Sequence, residues 1–351
     1  MGRYILKRLL YMLLVLFVVS AITFGLMHSV PGGPFDKEKP LPKEIIANLE
    51  KRYHLDQPLP VQYLEYVKAL IIPEVSTKKF PNTIDDDALF KFKIGNYYVK
   101  WVNFGPSYSS RSRTVNDMLK DQLPISIQLG FLAFCVAVII GMPLGIIAAL
   151  KQNTFIDYLC MTLAIFGVSV PVIVLGPILI WIFGVSLKWL PVTGWGSKPP
   201  FVGGFLPQTW GWQYWKYAIM PMFALGLSSS ASIARLTRAS LLQVIREDYI
   251  RTARAKGLKE RAIISGHALK NALIPVVTIL GPMFAALLTG TFVTETIFGI
   301  PGMGRYFVNS ITARDYPVIM GTVLIYAVFL VVCNLIVDLV YGLLDPRIRF
   351  E

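Results

Sequence analysis

Six long apolar runs constrain this sequence more than any other feature. They cover residues 9–27, 123–150, 158–187, 217–234, 272–294 and 316–337. A helix of about 20 apolar residues crosses the hydrocarbon layer of a bilayer, and each run is of that order. Hydrophobic residues make up 54% of the chain and charged residues only 16%, which is well below the quarter typical of soluble domains. The sequence therefore predicts an all-α integral membrane protein with six transmembrane helices.

Positive charge predicts how these helices are oriented. Between Arg235 and Lys270 the chain carries nine Lys or Arg residues against three acids, and short basic loops resist translocation. We therefore expect this loop, residues 151–157 and both termini in the cytoplasm, with residues 188–216 and 299–315 outside. The same distribution accounts for most of the net charge of +13. A lipid bilayer is thus the predicted environment, and no nucleic-acid partner is predicted.

Residues 30–121 form a long polar segment between the first two runs. Its 14 basic and 12 acidic residues nearly cancel. Pro42 introduces one predicted amphipathic helix, and the pair Pro58 and Pro60 starts another, because proline is favoured in the first turn of a helix. Residues 73–100 follow as a less regular stretch. We interpret the whole segment as a small extracytoplasmic insert that packs as a cap on the membrane domain.

The basic loop contains a predicted helix–turn–helix, REDYIRTARAKGLKERAIISGHALKNALIP, from 246 to 275 of the chain. Good helix formers run from Glu247 to Lys256, and Gly257 can adopt the left-handed conformation that ends a helix. A second helix is expected from Lys259 to about Lys270. Ile250, Ala253 and Gly257 recur at helical spacing, so we expect a small, shallow face that seats in a groove of a soluble partner. The alternative is that the basic residues only set the orientation.

Four further positions are candidates for a pathway or an outer gate. Pro171 interrupts the third run, either to bend a helix beside a path or only to allow close helix packing. Glu295 lies at the outer edge of the fifth run, as a gate or as a carboxylate that caps a turn. Pro301 and Gly302 break the chain before a short predicted external helix at 305–312.

Several chemistries lack the residues that they need. The sequence has no G-x-x-x-x-G-K-[ST] phosphate-binding motif, so any ATP and Mg²⁺ would be bound by another chain. Its three cysteines and three histidines are dispersed, so we predict no catalytic residue, no metal site and no cofactor on this chain. An ion-coupled carrier acting alone needs charges within the spans, and a membrane protease needs a zinc motif or a Ser–Lys or Asp pair. Both remain minor alternatives.

Taken in order, the chain resembles the permease subunits of bacterial oligopeptide ABC importers, the binding-protein-dependent inner membrane components of the peptide/nickel branch. The resemblance is carried by LKRLLYMLLVLF, HSVPGGPF, LPKEIIANLEKRYHLDQP, NFGPSY, VNDMLKDQLPISIQLG, AALKQNTFIDY, ASIARLTRAS, IRTARAKGL, HALKNALIPV, TETIFGIPGMG, ARDYP and LDPRIR. RTARAKGL is similar to the EAA loop of this family, with Arg251 and Thr252 in its first two positions. Residues 71–100 are an extra stretch beyond the family pattern.

The resemblance implies a type I ABC importer transmembrane domain in the bacterial inner membrane. It implies a second homologous permease, two ATP-binding subunits, an extracytoplasmic peptide-binding protein and a peptide substrate; relatives carry dipeptides, nickel or glycosides. The implied division is an anchor helix at 1–29, the insert at 30–121, a permease core at 122–345 with a coupling loop at 240–271, and a tail at 346–351. The implied ATPase-coupling residues are Glu247, Ile250, Ala253, Arg254, Lys256, Gly257 and Leu258.

Overall fold

The computed structural model describes residues 2–35, 42–81, 87–110, 112–289 and 291–344. The chain divides into two compact units. The core unit contains Met1–Arg8, Ile125–Pro301 and Phe329–Glu351, and the insert unit contains Leu9–Pro124 and Gly302–Val328. The predicted tail at 346–351 lies outside the described residues.

Long helices occupy five of the six apolar runs. They are α1 (Gly2–Ser29), α4 (Val115–Leu150), α7 (Trp212–Val244), α11 (Ile274–Thr289) continued by α12 (Phe292–Ile297), and α14 (Tyr316–Leu344). Each contains a stretch long and apolar enough to cross a bilayer. Helices are the expected form, because a bilayer offers no water to backbone groups and a helix satisfies them internally. These five predicted spans are confirmed in length and composition.

The third apolar run is bent sharply rather than straight. It forms α5 (Phe155–Ser169) and α6 (Val172–Leu179), and α6 continues into a π-helical segment, Ile180–Ser186. The two halves meet at 98°, so they make either one broken span or a re-entrant loop. Pro171 lies at the break with an extended ψ of 143°. Pro177 lies inside α6, so Pro171 alone separates the two helices.

Close packing in the core unit is centred on α7. A Cβ atom added to Gly141 or Gly145 of α4 would lie 2.5 Å from the carbonyl oxygens of Ser230 and Ala234 in α7. Only glycine permits this separation, and small residues at helix interfaces are how membrane helices gain contact area. Towards the N-terminal end of α7, Tyr214 is fully buried in a cluster of apolar residues.

The insert unit is partly a small β-sheet. Helices α2 (Lys43–Arg52) and α3 (Leu59–Ile71) confirm the two predicted amphipathic helices. Strands β1 (Glu74–Ser76), β2 (Phe90–Ile94) and β3 (Tyr97–Trp101) then pair antiparallel in the order β1-β3-β2. The prediction of an all-α chain therefore needs this addition. The signal was present: FKFKI alternates in character, and a Gly-Asn turn joins it to YYVKW, which is a hairpin pattern.

Buried carboxylates connect distant segments of the insert unit. Asp315 precedes α14 and is 1% exposed. Its carboxylate accepts hydrogen bonds from the hydroxyls of Ser107 (2.5 Å) and Ser109 (2.6 Å) and from the backbone N–H groups of Tyr108 and Ser109. The external helix predicted at 305–312 is α13 (Met303–Ala313). Asp315 lies in the turn that follows α13, and its carboxylate holds this turn against the loop that precedes α4.

Asp87 is the second such carboxylate and gives the insert unit a testable pH dependence. Burial raises its pKa, but hydrogen bonds from Thr114 and Lys91 and the charge of Lys120 outweigh burial, so the net pKa lies below the ordinary value. A carboxyl whose folded-state pKa is depressed stabilises the fold above its unfolded pKa, about 3.9. This stabilisation is lost as the pH falls through the folded-state pKa.

We therefore expect Asp87→Asn to lower the melting temperature at pH 6 by removing about 1 kcal/mol or more of stability. The difference from the wild type should shrink as the pH is lowered below about 4. Tryptophan fluorescence during thermal unfolding of the detergent-solubilised protein would measure it, with the exposed Glu44→Gln as the control. A difference between wild type and variant that is independent of pH would contradict the assignment.

Candidate functional site

The basic loop has the two-part organisation that its sequence predicts. Helix α7 ends at Val244, and α8 (Asp248–Ala255) follows. Gly257 then adopts the left-handed conformation, with φ of 75°. The chain continues through α9 (Glu260–Ile263), a π-helical turn (Ile264–Ala268) and α10 (Leu269–Ala272). Two helical pieces around a glycine turn are therefore confirmed, although the second piece is not a regular α-helix throughout.

The apolar face of α8 points into the chain itself. Ile250 is fully buried and Ala253 is 8% exposed. They pack in a cluster with Leu241 of α7, Ala149 of α4, and three residues of the second helical piece: Ile263, Ala268 and Ala272. This corrects the expectation that Ile250 and Ala253 seat in a partner's groove. Burial against the spans removes these apolar side chains from water, which is favourable. Ile250 and Ala253 therefore anchor α8 to the chain itself.

The opposite side of the loop is exposed and basic. Glu247, Arg254, Lys256, Gly257 and Leu258 are all exposed. The Arg254 guanidinium donates to both carboxylate oxygens of Glu260, at 3.2 and 2.7 Å, and hydrogen bonding to Arg254 lowers the pKa of Glu260. This pair spans the glycine turn and connects α8 to α9. The surface available to a partner is therefore the charged side of α8 together with the turn at 256–258.

An ion pair that sequence reasoning missed connects α5 to α7. The Asp157 carboxylate is 2% exposed and accepts hydrogen bonds from Arg238 Nε (2.7 Å) and Nη2 (2.6 Å). It also accepts the backbone N–H of Asn153 at 2.9 Å. The sequence offered a signal, because Asp157 is the only acid in the predicted inner connection at 151–157. Its partner lies 81 residues away and could not be identified from spacing.

Glu295 is enclosed rather than placed on an open surface. It is fully buried, and its Oε1 accepts hydrogen bonds from the hydroxyls of Ser126 (2.5 Å) and Thr291 (2.8 Å). Its own carbonyl accepts the N–H of Ile300 at 2.8 Å. Glu295 thus joins α4 to α12 and closes the following turn, a geometry that supports the capping interpretation over direct contact with cargo in this conformation.

The other pathway candidates lie in different settings. Pro171 is exposed at the break between α5 and α6. Pro301 is exposed and lines a cavity with residues of the segment 193–217. Gly302 is buried at the start of α13 and belongs to the insert unit. Within the described residues, no group of three His, Cys, Asp or Glu side chains is arranged to hold a metal ion.

Comparison with known proteins identifies the architecture. Residues 141–350 match the family described as "Binding-protein-dependent transport system inner membrane component". Residues 1–83 match the N-terminal region of the same membrane components. The chain belongs to this permease family.

Full-length relatives agree with that assignment. The permease is 44% identical to the dipeptide transport system permease protein DppB of Bacillus subtilis, covering 100% of this chain and 99% of the relative. It is 41% identical to the oligopeptide transport system permease protein OppB of Salmonella typhimurium, covering 100% of both. Among solved structures, the methionine ABC transporter MetNI in an inward-facing conformation matches 64% of this chain and 94% of its own, with 18% identity and a TM-score of 0.47.

Family membership fixes the role of the chain in outline. It is a multi-pass membrane subunit of an ABC importer, and ATP hydrolysis belongs to a separate subunit. It works with ATPase and substrate-binding partners. Membership of this family excludes two alternatives for this chain, a solitary ion-coupled carrier and a membrane protease.

The Asp157–Arg238 pair should contribute measurably to the stability of the permease. We expect Asp157→Ala and Arg238→Ala each to cost about 2 kcal/mol, because the first removes the two hydrogen bonds of the Arg238 guanidinium and the second leaves the buried Asp157 carboxylate without its charged partner. The double variant should cost little more than either, giving a coupling energy of about 1–3 kcal/mol. Thermal or denaturant unfolding of the wild type, both single variants and the double variant in detergent would measure this coupling energy as a double-mutant cycle.

The matched control is the exposed pair Arg251–Asp248, whose side chains are 72% and 95% exposed. Its coupling energy should be near zero, as for most surface ion pairs. Additive effects of Asp157→Ala and Arg238→Ala would show that the buried pair does not act as a unit.

Proposed function

We propose that this permease is the membrane subunit of an ATP-driven peptide importer, in which it forms half of the translocation pathway. Oligopeptides are the principal proposed cargo and dipeptides the second, since the full-length relatives are named for both. Nickel and glycosides have no support among these relatives.

The proposed complex contains a second homologous permease, two ATP-binding subunits and an extracytoplasmic peptide-binding protein. ATP and Mg²⁺ are bound by the ATP-binding subunits and not by this chain. The N- and C-termini lie in the cytoplasm of a bacterial cell, because this orientation keeps the basic loop inside. The division into an anchor helix, the insert at 30–121, the permease core at 122–345 and a short tail remains part of the proposal.

The observation that carries the coupling mechanism is the two-sided character of α8. One side is exposed and charged, and the other is fastened to the spans through Ile250 and Ala253. Movement of a partner bound to the exposed side therefore displaces the buried side as well, because a close-packed cluster transmits displacement rather than absorbing it. Closure of the ATP-binding subunits would move α8, and α7 would move with it.

The ion pair between Asp157 and Arg238 extends this connection to α5. Since α5 precedes the break at Pro171, force applied at α8 reaches the bent helix through two contacts within the core unit. A bent helix with a fixed inner half offers a natural point for the pathway to open and close. We therefore assign Pro171 the role of a hinge in the proposed cycle.

Purification of the complete complex tests the proposed function. The permease should co-purify in mild detergent with a second permease and ATP-binding subunits, and in liposomes its ATPase activity should be stimulated by binding protein loaded with peptide. Unloaded binding protein is the control. Stimulation by nickel or a glycoside instead of peptide would overturn the cargo, and transport driven by an ion gradient without ATP would overturn the importer.

Gly257 provides a test of the coupling surface. We expect Gly257→Asp to reduce peptide-stimulated ATPase activity by about tenfold or more, because a negative charge would stand on a surface whose basic residues favour an acidic partner. Gly257→Asn is the matched control, since Asn has the same shape as Asp, carries no charge and also tolerates the left-handed backbone.

The Asn variant should retain most of the activity. Equal losses in both variants would assign the effect to the backbone turn rather than to docking. Normal uptake by the Asp variant in a fully assembled complex would contradict the docking of this turn on the ATP-binding subunit.

A further inference from the structure

A polar cavity of about 640 Å³ lies in the core unit, between the segment 193–217 and the turn at 299–301. Its volume is within the range of small-ligand sites. Side chains that line it and can donate hydrogen bonds include Thr193, Ser197, Lys198, Thr209, Gln213 and Tyr217. No Asp or Glu is among its lining residues. The cavity therefore presents donors and one positive charge, which is the composition expected for an anion.

The walls of this cavity are fixed by hydrogen bonds. The N–H of Gly194 donates to the carbonyl of Phe298 at 2.9 Å, which joins the two segments. Trp195 is buried, and its Nε1 donates to Gln128 Oε1 at 3.0 Å. The amide nitrogen of Gln128 in turn donates to the carbonyl of Phe205 at 2.8 Å. One side chain of α4 thus holds the segment at two points, so the cavity is preformed.

Ser197 supplies an independent sign of a ligand. It is 6% exposed, and its Oγ is buried without a hydrogen-bond partner among the residues that the structure describes. A buried hydroxyl without a partner costs free energy, so such groups are rare. Because Ser197 lines the cavity, rotation of its side chain towards a ligand oxygen would satisfy the hydroxyl.

The charge distribution of the surrounding sequence also favours an anionic ligand. Between Asp157 and Glu247 the chain has no acidic residue. The proposed outer segment within this interval nevertheless carries Lys188, Lys198 and Lys216. Lysine on the outer side opposes the usual bias of charge towards the cytoplasm. Lys198 is the one of these three that lines the cavity.

We propose that this cavity binds the free C-terminal carboxylate of the cargo peptide as it enters the permease, with the Lys198 ammonium as its counter-charge and the Ser197 hydroxyl as a donor. This inference rests on the proposed function and orientation. Every linear peptide with a free C-terminus carries this carboxylate whatever its side chains, so a permease that accepts varied peptides can recognise it. The peptide's ammonium group is not a suitable occupant, because the lining has no carboxylate to pair with it.

The test compares two forms of one peptide, with a free C-terminus and with a C-terminal amide, in liposomes that contain the complete importer. Binding protein is loaded with each peptide, loading is measured directly, and uptake is recorded at saturating loaded binding protein. These conditions separate the preference of the permease from that of the binding protein. Wild type, Lys198→Met, Lys198→Arg and Ser197→Ala are compared, with the exposed outer Lys188→Met as the matched control.

We expect Lys198→Met to lower uptake of the free acid about tenfold, the loss expected for a hydrogen bond to a charged group, and to leave uptake of the amide unchanged. Lys198→Arg should keep the preference for the acid, Ser197→Ala should reduce it about threefold, and Lys188→Met should resemble the wild type.

Three results would overturn the inference. Unchanged uptake of both peptides by Lys198→Met shows that Lys198 does not meet the carboxylate. Equal losses for both peptides show that the role of Lys198 does not depend on the cargo carboxylate. In both cases the wild type still imports peptide, so the proposed function stands. Absence of peptide uptake by the wild-type complex overturns the proposed function and this inference with it.

Discussion

Close packing around α7 is the constraint on which the core unit depends. This helix of 33 residues is about 50 Å long at 1.5 Å per residue. Glycines of α4 allow that helix to pack against the backbone of α7, and Arg238 near the C-terminal end of α7 pairs with Asp157 of α5. Leu241 then joins the cluster that buries α8. Every element assigned a part in coupling is therefore in contact with one helix.

Buried acids in this chain act as structural connectors. Asp157, Glu295 and Asp315 are each at most 2% exposed, and each accepts hydrogen bonds from groups distant in sequence. Burying a carboxylate is costly unless several donors surround it. That cost makes each arrangement specific, because a shifted segment would leave a charge without its partners. The permease thus fixes the relative positions of segments within each unit through a few polar contacts.

The sequence predicted features that depend on local chemistry. Span length, the left-handed turn at Gly257 and the break at Pro171 follow from hydropathy, from the absence of a Cβ atom and from the geometry of proline. It did not predict which way the apolar face of α8 points, because periodicity defines a face but not its neighbour. For the same reason the pairing of Asp157 with Arg238 and the enclosure of Glu295 required three-dimensional contacts. The sheet of β1, β2 and β3 was missed for a different reason. Its hairpin pattern is present in the sequence, but the helical patterns of the rest of the chain led to an all-α prediction.

The environments of the two ends of α7 are thermodynamically linked, because both ends belong to one continuous helix. Gln213 and Tyr217 line the cavity that contains Lys198, and Leu241 contacts the residues that anchor α8. A conformational change that moves α7 alters both environments together. Linkage is reciprocal: if ATP-driven closure changes the affinity of the cavity for a carboxylate, an occupied cavity must change the free energy of closure by the same amount. If closure raises that affinity, cargo in the cavity promotes ATP-driven closure without contacting the ATP-binding subunit, because α7 is common to both sites.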